Sequence, residues 1–332
     1  MKKELIIKIL SACILLPVCL ACFIWASKKG TSDKPQTFQG FYFNTVINIT
    51  FYNSQDATLS KDCFALCEHY ENLLSRTVEG SDIRNINQSK GEWISVDPET
   101  YALLETAAGY CEKTNGLLDY SVAPLMVLWD FTGSNPTKRP PDAALLSEAL
   151  SGVDYRNVEL SGGKVRLLNP DTKIDLGFIA KGYIGDKLRS YLISQGVKSA
   201  LLNLGGNILT IGSKPDGSPY QIGIKDPDSK DDYIDTLSVT NRCVTTSGTY
   251  ERMFIFEGVT YHHILDPQTG MPVQNGLSSV TILSDDATTG DALSTACLLL
   301  GKEKGLEFIK SFPNIQAVFI EENGTITKVL PE

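Results

Sequence analysis

The order of strand-like and helix-like segments along the chain limits its fold more than any other feature of the sequence. The two kinds of segment neither alternate regularly nor separate into two blocks, and strand-like segments dominate after residue 199. Regular alternation would predict a doubly wound parallel sheet, because each pair of parallel strands needs a crossover connection. The mixed order instead predicts a single α+β domain.

Hydrophobic periodicity predicts where the larger elements lie. Apolar and polar residues alternate over residues 41–52, which predicts one strand. The polar segment at residues 81–87 is interpreted as a turn. Apolar residues at helical spacing predict helices over residues 60–75, 98–114, 179–195 and 291–300.

Residues 1–29 are not expected to belong to the folded domain. An apolar run of about 18 residues, 9–26, lies between lysines and is long enough to span a bilayer. It also fits a signal sequence. The Cys-Leu-Ala-Cys sequence that ends at Cys22 leaves a third interpretation, a lipid-modified N-terminus. We favour an uncleaved single-pass anchor. A linker over residues 30–38 and one domain over residues 39–332 would follow, on the extracytoplasmic side of the cell membrane.

Charge and cysteine spacing argue against two classes of function. The formal net charge is −9, no run of Lys and Arg occurs, and basic residues are not interleaved with aromatic ones. Nucleic acid is therefore not an expected partner. The cysteines beyond residue 29 are irregularly spaced and form no Cys-x-x-Cys pair, which argues against a disulfide framework and against zinc.

Two segments in the C-terminal half offer groups for catalysis. In one, His262 and His263 precede a turn built on Asp-Pro and Thr-Gly, and imidazole titrates near neutral pH. Neighbours on an extended segment point to opposite faces, so at most one of the two rings is expected in a given pocket. In the other, Asp291 and Thr295 lie four residues apart, with the oxygen donors that Mg²⁺ prefers. A base beside a magnesium site indicates chemistry on a phosphate ester or anhydride.

Three glycine-containing segments have two interpretations each. Residues 173–183 are predicted to end a strand and begin a helix, where free N–H groups and Lys181 would bind an anion such as a diphosphate. A tight turn with a surface lysine explains the same pattern. Residues 202–208 are interpreted either as a place where a backbone or a ligand approaches closely or as a sharp turn. Residues 245–252 place hydroxyl groups around Gly248 and are interpreted either as a functional cluster or as ordinary loop capping.

Several short motifs also occur in one order along the chain. They are an early Phe-Asn-Thr segment, SDIxxxN, NGxxD, IDLGxIAKGY, NLGGN, TTSGxYER, HILDPxTGxP and GDALST. In this order they resemble the ApbE-like family of FAD:protein FMN transferases over roughly residues 39–330. IDLGFIAKGY, HILDPQTGMP and GDALST are the most specific of these motifs. The resemblance implies an α+β domain of the T-fold-like type.

The resemblance also implies an activity and a set of site residues. The activity is Mg²⁺-dependent transfer of the FMN half of FAD to a Ser or Thr hydroxyl of a partner protein, with release of AMP. Asp291, Thr295 and the backbone carbonyl of Phe178 would bind the metal. His263 would be the general base. The implied FAD contacts are Phe43, Leu117, Leu118, Asp119, Asp175, Lys181 and Ile264.

The implied partner is a membrane-associated or secreted redox protein with an acceptor motif similar to Asp-x-x-Ser/Thr-Gly-Ala-Ser/Thr. Residues 286–292 of this chain, Asp-Ala-Thr-Thr-Gly-Asp-Ala, approach that motif. Asp291 stands where the motif has alanine and is assigned to the metal. We therefore interpret the similarity of this segment to an acceptor as a coincidence.

The sequence departs from the family pattern at three places. Residues 43–45 are Phe-Asn-Thr where the family usually has Met-Gly-Thr. Thr77 stands where an aromatic residue often follows the first helix, and Phe178 stands where a small residue is usual. These differences concern the shape of the FAD pocket and not the metal chemistry.

Two other functions stay open from the sequence. An FAD pyrophosphatase would use the same metal and pocket, with water in place of the protein hydroxyl, and would form free FMN and AMP. A non-catalytic flavin-binding module would bind FAD unchanged. The presence of His263, Asp291 and Thr295 argues against the binding module, and the transferase is the leading hypothesis.

Overall fold

The computed structural model describes residues 34–52, 57–131, 138–229 and 232–330. The predicted membrane anchor lies outside these ranges. Within them, no helix combines the length and the apolar character that crossing a bilayer requires. The first strand begins at Gln36, so the sheet starts inside the segment that the sequence assigned to a linker.

Helices and strands are mixed along the described chain. The helices are α1 (Ala57–Leu74), α2 (Asp82–Asn87), α3 (Pro98–Lys113), α4 (Ala123–Trp129), α5 (Ala143–Leu150), α6 (Ala180–Ser194), α7 (Ala287–Leu300) and α8 (Lys302–Ile309). The strands are β1 (Gln36–Tyr42), β2 (Thr45–Phe51), β3 (Ile94–Ser95), β4 (Val158–Ser161), β5 (Lys164–Leu167), β6 (Ala200–Leu204), β7 (Asn207–Ile211), β8 (Tyr220–Lys225), β9 (Tyr233–Val239), β10 (Cys243–Gly248), β11 (Met253–Phe256), β12 (Val259–His262), β13 (Leu277–Ser284), β14 (Gln316–Glu321) and β15 (Ile326–Val329).

An eight-stranded sheet forms the centre of the molecule, in the order β1-β2-β6-β7-β10-β13-β14-β15. Neighbouring strands of this sheet pair antiparallel. Three small sheets lie outside it: β11-β12, β3-β5-β4 and β8-β9. The antiparallel sheet with helices inserted irregularly agrees with the predicted α+β class.

Both faces of the sheet are covered. On one face α7 packs against β10 and β13, and α6 packs against α7. Val280 and Ile282 of β13 point into this main core, and both are fully buried. Leu283 points to the other face, where it packs with Tyr220 and Ile222 of the β8–β9 ribbon. Because α7 lies over the middle strands, its residues occupy one of the most buried parts of the protein.

The single strand predicted over residues 41–52 is confirmed for Thr45–Phe51 and is wrong before it, because a turn separates this strand from β1. Phe43 and Asn44 have φ angles of 55° and 56°, and Tyr42 pairs with Thr45 across them. A two-residue turn in which both residues have positive φ matches the right-handed twist of the strands on either side, and it is a common hairpin connection. Apolar and polar residues continue to alternate through so short a turn, so periodicity alone did not reveal it.

Three other local predictions also need correction. Residues 82–87 form helix α2 rather than a turn, and Ser81 caps this helix because its Oγ accepts the N–H of Arg84 at 3.2 Å. The segment before α6 is not a strand, because Lys173 makes only an isolated parallel bridge with Val122. The Thr-Thr-Ser-Gly segment, interpreted as a loop rich in hydroxyl groups, lies in the central strand β10.

Candidate functional site

One cavity, with a volume of about 1010 Å³, lies between α6, α7, the end of α1 and the segment that follows β12. Every residue that the sequence assigned to the site lines this cavity. They are Phe43, Leu117, Leu118, Asp119, Asp175, Phe178, Lys181, His263, Ile264, Asp291 and Thr295. The fold thus brings together residues that are more than 250 positions apart in the sequence.

We call Phe178, Lys181, Gly182, Asp291 and Thr295 the helix wall, since they belong to α6, to α7 or to the turn before α6. Asp291 is only 4% exposed, and its Oδ2 accepts the backbone N–H of Gly182 at 2.9 Å. Gly182 is the third residue of α6, so its N–H is one of the donors at the helix start that have no acceptor within the helix. Phe178 precedes the N-cap residue Ile179, and among the described residues no backbone hydrogen bond to its carbonyl is formed.

Gly182 allows this contact because it has no side chain. A Cβ at this position would lie 2.2 Å from the carbonyl oxygen of Ala287 and 2.8 Å from the Cβ of Asp291. Both distances are shorter than van der Waals contact, so a larger residue would force α6 and α7 apart. The glycine of the IDLGFIAKGY motif is thus explained by the close packing of two helices.

Thr295 lies one turn after Asp291 on α7. Its Oγ1 donates to the backbone carbonyl of Asp291 at 3.2 Å and lies 2.9 Å from Oγ of Ser247. Ser247, on β10, also bonds to Oγ of Ser294 at 2.8 Å. These contacts hold the Thr295 hydroxyl at the cavity, and sequence reasoning did not identify Ser247.

Two aspartates fix the start of α7. Oδ1 of Asp286, the N-cap residue, accepts the N–H of Thr289 at 2.7 Å. Asp186, from α6, accepts the N–H groups of Ala287 and Thr288 at 2.8 Å each. Carboxylates at these free N–H groups stabilise a helix N-terminus. They therefore hold α6 and α7 in a fixed relation around Asp291.

The oxygen atoms of the helix wall fit Mg²⁺. Asp291 supplies a carboxylate, Thr295 a hydroxyl and Phe178 a carbonyl with no helical donor. In the described ranges no group of three or more His, Cys, Asp or Glu side chains forms a metal site. Mg²⁺ is commonly bound by one or two carboxylates, with water and substrate phosphates completing the shell. Burial raises the pKa of Asp291, and a bound cation would keep this carboxyl ionised.

We call Arg252, His262, His263 and Ile264 the histidine wall. It flanks and follows the β11–β12 hairpin, which is separate from the main sheet. The hairpin packs on an aromatic cluster of its own: the rings of Phe254 and Tyr261 stack with centroids 5.4 Å apart. Trp129 of α4 lies 5.6 Å from Tyr261. Aromatic packing therefore sets the position of this wall.

The two histidines have different environments. His262 is 3% exposed; its Nε2 donates to the carbonyl of Val273 at 2.9 Å, and its Nδ1 accepts the N–H of Ile264 at 3.4 Å. His263 lines the cavity, and its buried Nδ1 has no hydrogen-bond partner in the described part of the chain. His262 therefore has a structural role, and His263 is the ring that can react.

The imidazole of His263 is neutral at physiological pH. Burial lowers its pKa from 6.5 to about 3, and the positive charges of Arg252 and Lys181 act in the same direction. Its backbone N–H donates to the carbonyl of Arg252 at 3.1 Å, which fixes the ring beside that residue. A neutral imidazole in this position is able to accept a proton.

The apolar lining of the cavity includes Leu117, Leu118, Ile264 and Phe43. The backbone N–H of Phe43 donates to Oε1 of Glu71 at 2.7 Å, which ties the β1–β2 turn to α1. The turn therefore holds the Phe43 ring at one end of the cavity. A flat aromatic ligand fits such a lining.

Two predicted contact residues act mainly on the protein itself. Asp119 accepts hydrogen bonds from the N–H and Oγ of Ser121 and from the N–H of Tyr155. Asp175 accepts from the N–H of Gly177 at 2.8 Å and from Nε of Arg76 at 2.7 Å. Both carboxylates line the cavity, but their oxygens are used to shape its walls.

Sequence reasoning missed two arginines of the cavity lining, Arg76 and Arg252. Arg76 lies two residues after the end of α1 and is next to Thr77, a position at which the sequence departs from the family pattern. Arg252 ends the TTSGTYER motif, which was noted for its hydroxyl groups. The presence of a basic residue in this motif of an acidic chain was a signal that could have identified Arg252.

The chain is similar to known proteins over most of its length. The model of the ApbE family matches residues 43–319. An FAD:protein FMN transferase of Treponema pallidum is 32% identical over 324 residues, covering 91% of this chain and 89% of the relative. One of Klebsiella pneumoniae is 35% identical over 285 residues, covering 84% and 87%.

Solved structures agree with these sequence relatives. The ApbE protein of Thermotoga maritima superposes with a TM-score of 0.82 at 36% identity, covering 89% of this chain and 97% of that one. The flavin transferase ApbE of Vibrio cholerae gives a TM-score of 0.79 at 28% identity, covering 90% and 97%.

Proposed function

Because this chain belongs to the ApbE family and is a flavin transferase, we propose that it moves the FMN half of FAD to a Ser or Thr hydroxyl of a partner protein. AMP is the second product, and Mg²⁺ is required. The observation that carries the proposal is the cavity itself. Oxygen donors, a neutral histidine and apolar surface line a single space of about 1010 Å³, at the upper end of the roughly 300–1,000 Å³ of small-molecule sites.

In this proposal Asp291, Thr295 and the carbonyl of Phe178 hold the magnesium ion. When bound, Mg²⁺ would offset the charge of the diphosphate and of the departing phosphate. Support comes from the oxygen-only donor set and from the Gly182 N–H, which donates to Asp291 and holds its carboxylate beside the start of α6. The bulk of Phe178 does not prevent this role, since the backbone supplies the contact.

FAD is bound by the apolar residues and by the charged residues that line the cavity. Leu117, Leu118, Phe43 and Ile264 contact the aromatic parts of the molecule, and Lys181 contacts the phosphates. Asp119 and Asp175 contribute by holding the surrounding segments, since their oxygens already bond to protein groups. Binding a dianionic diphosphate beside His263 raises the pKa of its imidazole, which makes it a better base.

The transfer step uses His263 as the proton acceptor. The acceptor hydroxyl attacks the phosphorus of the FMN half, and its proton goes to the imidazole of His263. A new oxygen–phosphorus bond forms to the partner protein. The bond from that phosphorus to the bridging oxygen breaks, and AMP leaves with the bridging oxygen and its electron pair. Such a reaction depends on positioning and charge stabilisation more than on covalent catalysis.

The partner is an extracytoplasmic redox protein with a motif similar to Asp-x-x-Ser/Thr-Gly-Ala-Ser/Thr. The proposed location of the enzyme rests on the apolar segment at residues 9–26 and on its flanking lysines. An anchor at this place would keep the cavity close to membrane-associated acceptors.

Mass spectrometry of an acceptor tests the proposal. The full chain is incubated with FAD, Mg²⁺ and an acceptor domain that carries the motif, and with the same acceptor in which the modified threonine is valine. A gain of one FMN moiety on the threonine form, absent with EDTA and absent on the valine form, is the expected result. Free FMN and AMP without modified acceptor would identify a pyrophosphatase, and unchanged FAD would identify a binding module.

A further inference from the structure

Three cations line the cavity: Arg76, Lys181 and Arg252. Nε of Arg76 bonds to Oδ2 of Asp175 at 2.7 Å, so its charge is paired within the protein. Arg252 is different. In the described part of the chain, no carboxylate lies within ion-pair distance of its guanidinium, and its side chain forms no hydrogen bond there. Its backbone carbonyl, in contrast, is used by His263.

An unpaired, half-buried arginine is costly unless a ligand neutralises it. Partial burial removes water from the guanidinium, and the lost hydration must be replaced by hydrogen bonds. Carboxylates are plentiful in a chain with a net charge of −9, yet among the described residues none is paired with Arg252. The arrangement therefore indicates an anionic ligand that supplies the missing acceptors.

We infer that Arg252 binds the phosphoryl group that is transferred, as the cation of the histidine wall. This inference rests on the proposed function, and it adds a residue to which no role has been assigned. The planar guanidinium donates two parallel hydrogen bonds, which match two oxygens of one phosphate. Lys181 would contact the diphosphate from the helix wall, whose oxygen donors would hold the Mg²⁺ ion.

The position of Arg252 next to His263 decides which phosphate it binds. The attacked phosphorus must lie within reach of the imidazole that takes the hydroxyl proton. Since the carbonyl of Arg252 holds the backbone of His263 at 3.1 Å, the two side chains start from neighbouring backbone positions. The charge of Arg252 also lowers the pKa of His263. Arg252 therefore lies beside the phosphate of the FMN half.

Arg252 would act most strongly in the transition state. As the bond to the bridging oxygen breaks, charge spreads over the oxygens of the transferred group, and a guanidinium that bridges two of them stabilises this state. No bond to Arg252 forms or breaks, and no proton moves to it. Replacing Arg252 should therefore lower kcat as well as the affinity for FMN.

Ligand binding tests the inference without an acceptor protein. The full chain and its Arg252→Gln and Arg252→Lys variants are titrated, with Mg²⁺ present, with FMN, riboflavin and AMP. We expect Arg252→Gln to weaken FMN about tenfold or more, since a charge-assisted bidentate contact is lost, with riboflavin and AMP unchanged. Arg252→Lys should weaken FMN less, because the charge remains. In transfer assays Arg252→Gln should lower kcat about 10²- to 10³-fold.

A matched control is Arg156→Gln, which removes an arginine that is paired with Asp154 outside this cavity. It should leave all three affinities unchanged. Equal weakening of riboflavin and FMN would overturn the inference, because it would indicate a change in pocket shape. Weakening of AMP instead of FMN, or no change in FMN, would also overturn it. If Arg252→Gln selectively weakens FMN but no acceptor is modified by the wild type, the proposed function fails and the phosphate contact stands.

Discussion

The two walls of the cavity are built in different ways. The helix wall is part of the main core: α7 packs on the central strands, and Asp291, Gly182, Thr295 and Ser247 are joined by hydrogen bonds. The histidine wall follows a two-stranded hairpin that packs on its own aromatic cluster. It also contains a buried ring nitrogen, Nδ1 of His263, that has no hydrogen-bond partner among the residues described.

The difference has a physical reason. Metal ligands must keep fixed distances, so they belong on rigid, well-packed elements. Groups that exchange protons or bind the reacting phosphate need atoms that the protein itself does not use. The helix wall is thus expected to respond to substitutions through metal binding and packing, and the histidine wall through the rate of transfer.

The largest effect should come from Asp291→Ala. It removes the carboxylate of the proposed metal site, so Mg²⁺ binding should be lost and turnover should fall about 10³-fold or more. Calorimetric titration with Mg²⁺ and the transfer assay measure the two effects, and circular dichroism checks that the fold survives. Asp291→Asn is the matched control for packing, because it keeps an oxygen for the Gly182 N–H. Unchanged turnover in Asp291→Ala would exclude Asp291 as a metal ligand.

His263→Ala should lower kcat about 10²- to 10⁴-fold, the range for loss of a general base, while FAD still binds. The paired variant His262→Ala should have a milder effect on kcat. It should instead reduce the free energy of unfolding by about 1–3 kcal/mol, because the carbonyl of Val273 and the N–H of Ile264 lose their partner. Flavin fluorescence, transfer rates and urea denaturation give the three readouts. The reverse order of kcat losses would assign the base to His262.

Thr295→Val should weaken Mg²⁺ and slow transfer about tenfold, less than Asp291→Ala, because a neutral ligand is lost and the shape is kept. Thr295→Ser retains the hydroxyl and should stay close to the wild type. Mg²⁺ titration of the transfer rate measures the change as a shift in the half-saturating concentration. Equal behaviour of the valine and serine variants would mean that the hydroxyl does not contact the metal.

Gly182→Ala tests the packing of the helix wall. Its Cβ would lie 2.2 Å from the carbonyl oxygen of Ala287, so overpacking should cost about 1–3 kcal/mol of unfolding free energy. Gly109→Ala is the control, because Gly109 is in α3 and nothing lies within 4 Å of its added Cβ. This change should stabilise the protein by about 0.5–1 kcal/mol. A stable Gly182→Ala protein with full Mg²⁺ affinity would contradict the close-packing explanation.

The smallest expected effect is a change of stability with pH. The folded-state pKa of His263 is about 3, below its ordinary 6.5, so the unfolded chain binds more protons between these values. The stability due to the neutral ring is complete above pH 6.5 and is lost as pH falls toward 3. Between pH 7 and 5 the loss should be about 1–2 kcal/mol, and His263→Gln should remove it. The raised pKa of Asp291 acts in the opposite direction, so a larger loss of stability between pH 7 and 5 in His263→Gln than in the wild type would contradict this prediction.

Much of the fold follows from local sequence. Helix α3 begins at Pro98 and ends near Thr114, as periodicity and capping predict. The turn at Phe43 and Asn44 was missed, because alternation continues across it. Strand β10 was missed as well, since its Thr-Thr-Ser-Gly sequence has the composition of a loop. Its neighbours β7 and β13 supply the pairing that makes it a strand.

The candidate site was predictable to the same degree. The four-residue spacing of Asp291 and Thr295 predicted that they share one face of a helix, and this prediction needed no knowledge of the fold. The motif order pointed to His263 and Lys181. Ser247 and Arg252 had no local signal of comparable strength, because their roles depend on neighbours that are distant in sequence.

The sequence by itself determined which segments are amphipathic and which chemical groups are present, since these are properties of individual residues and their near neighbours. The tertiary structure alone decided which of those groups are left without partners. His262 and His263 are adjacent and chemically identical in the sequence. Only packing against residues 264 and 273 satisfies both nitrogens of one ring, and only the cavity leaves the other ring available. Hydrogen-bond satisfaction depends on distances between remote segments, and the fold sets those distances.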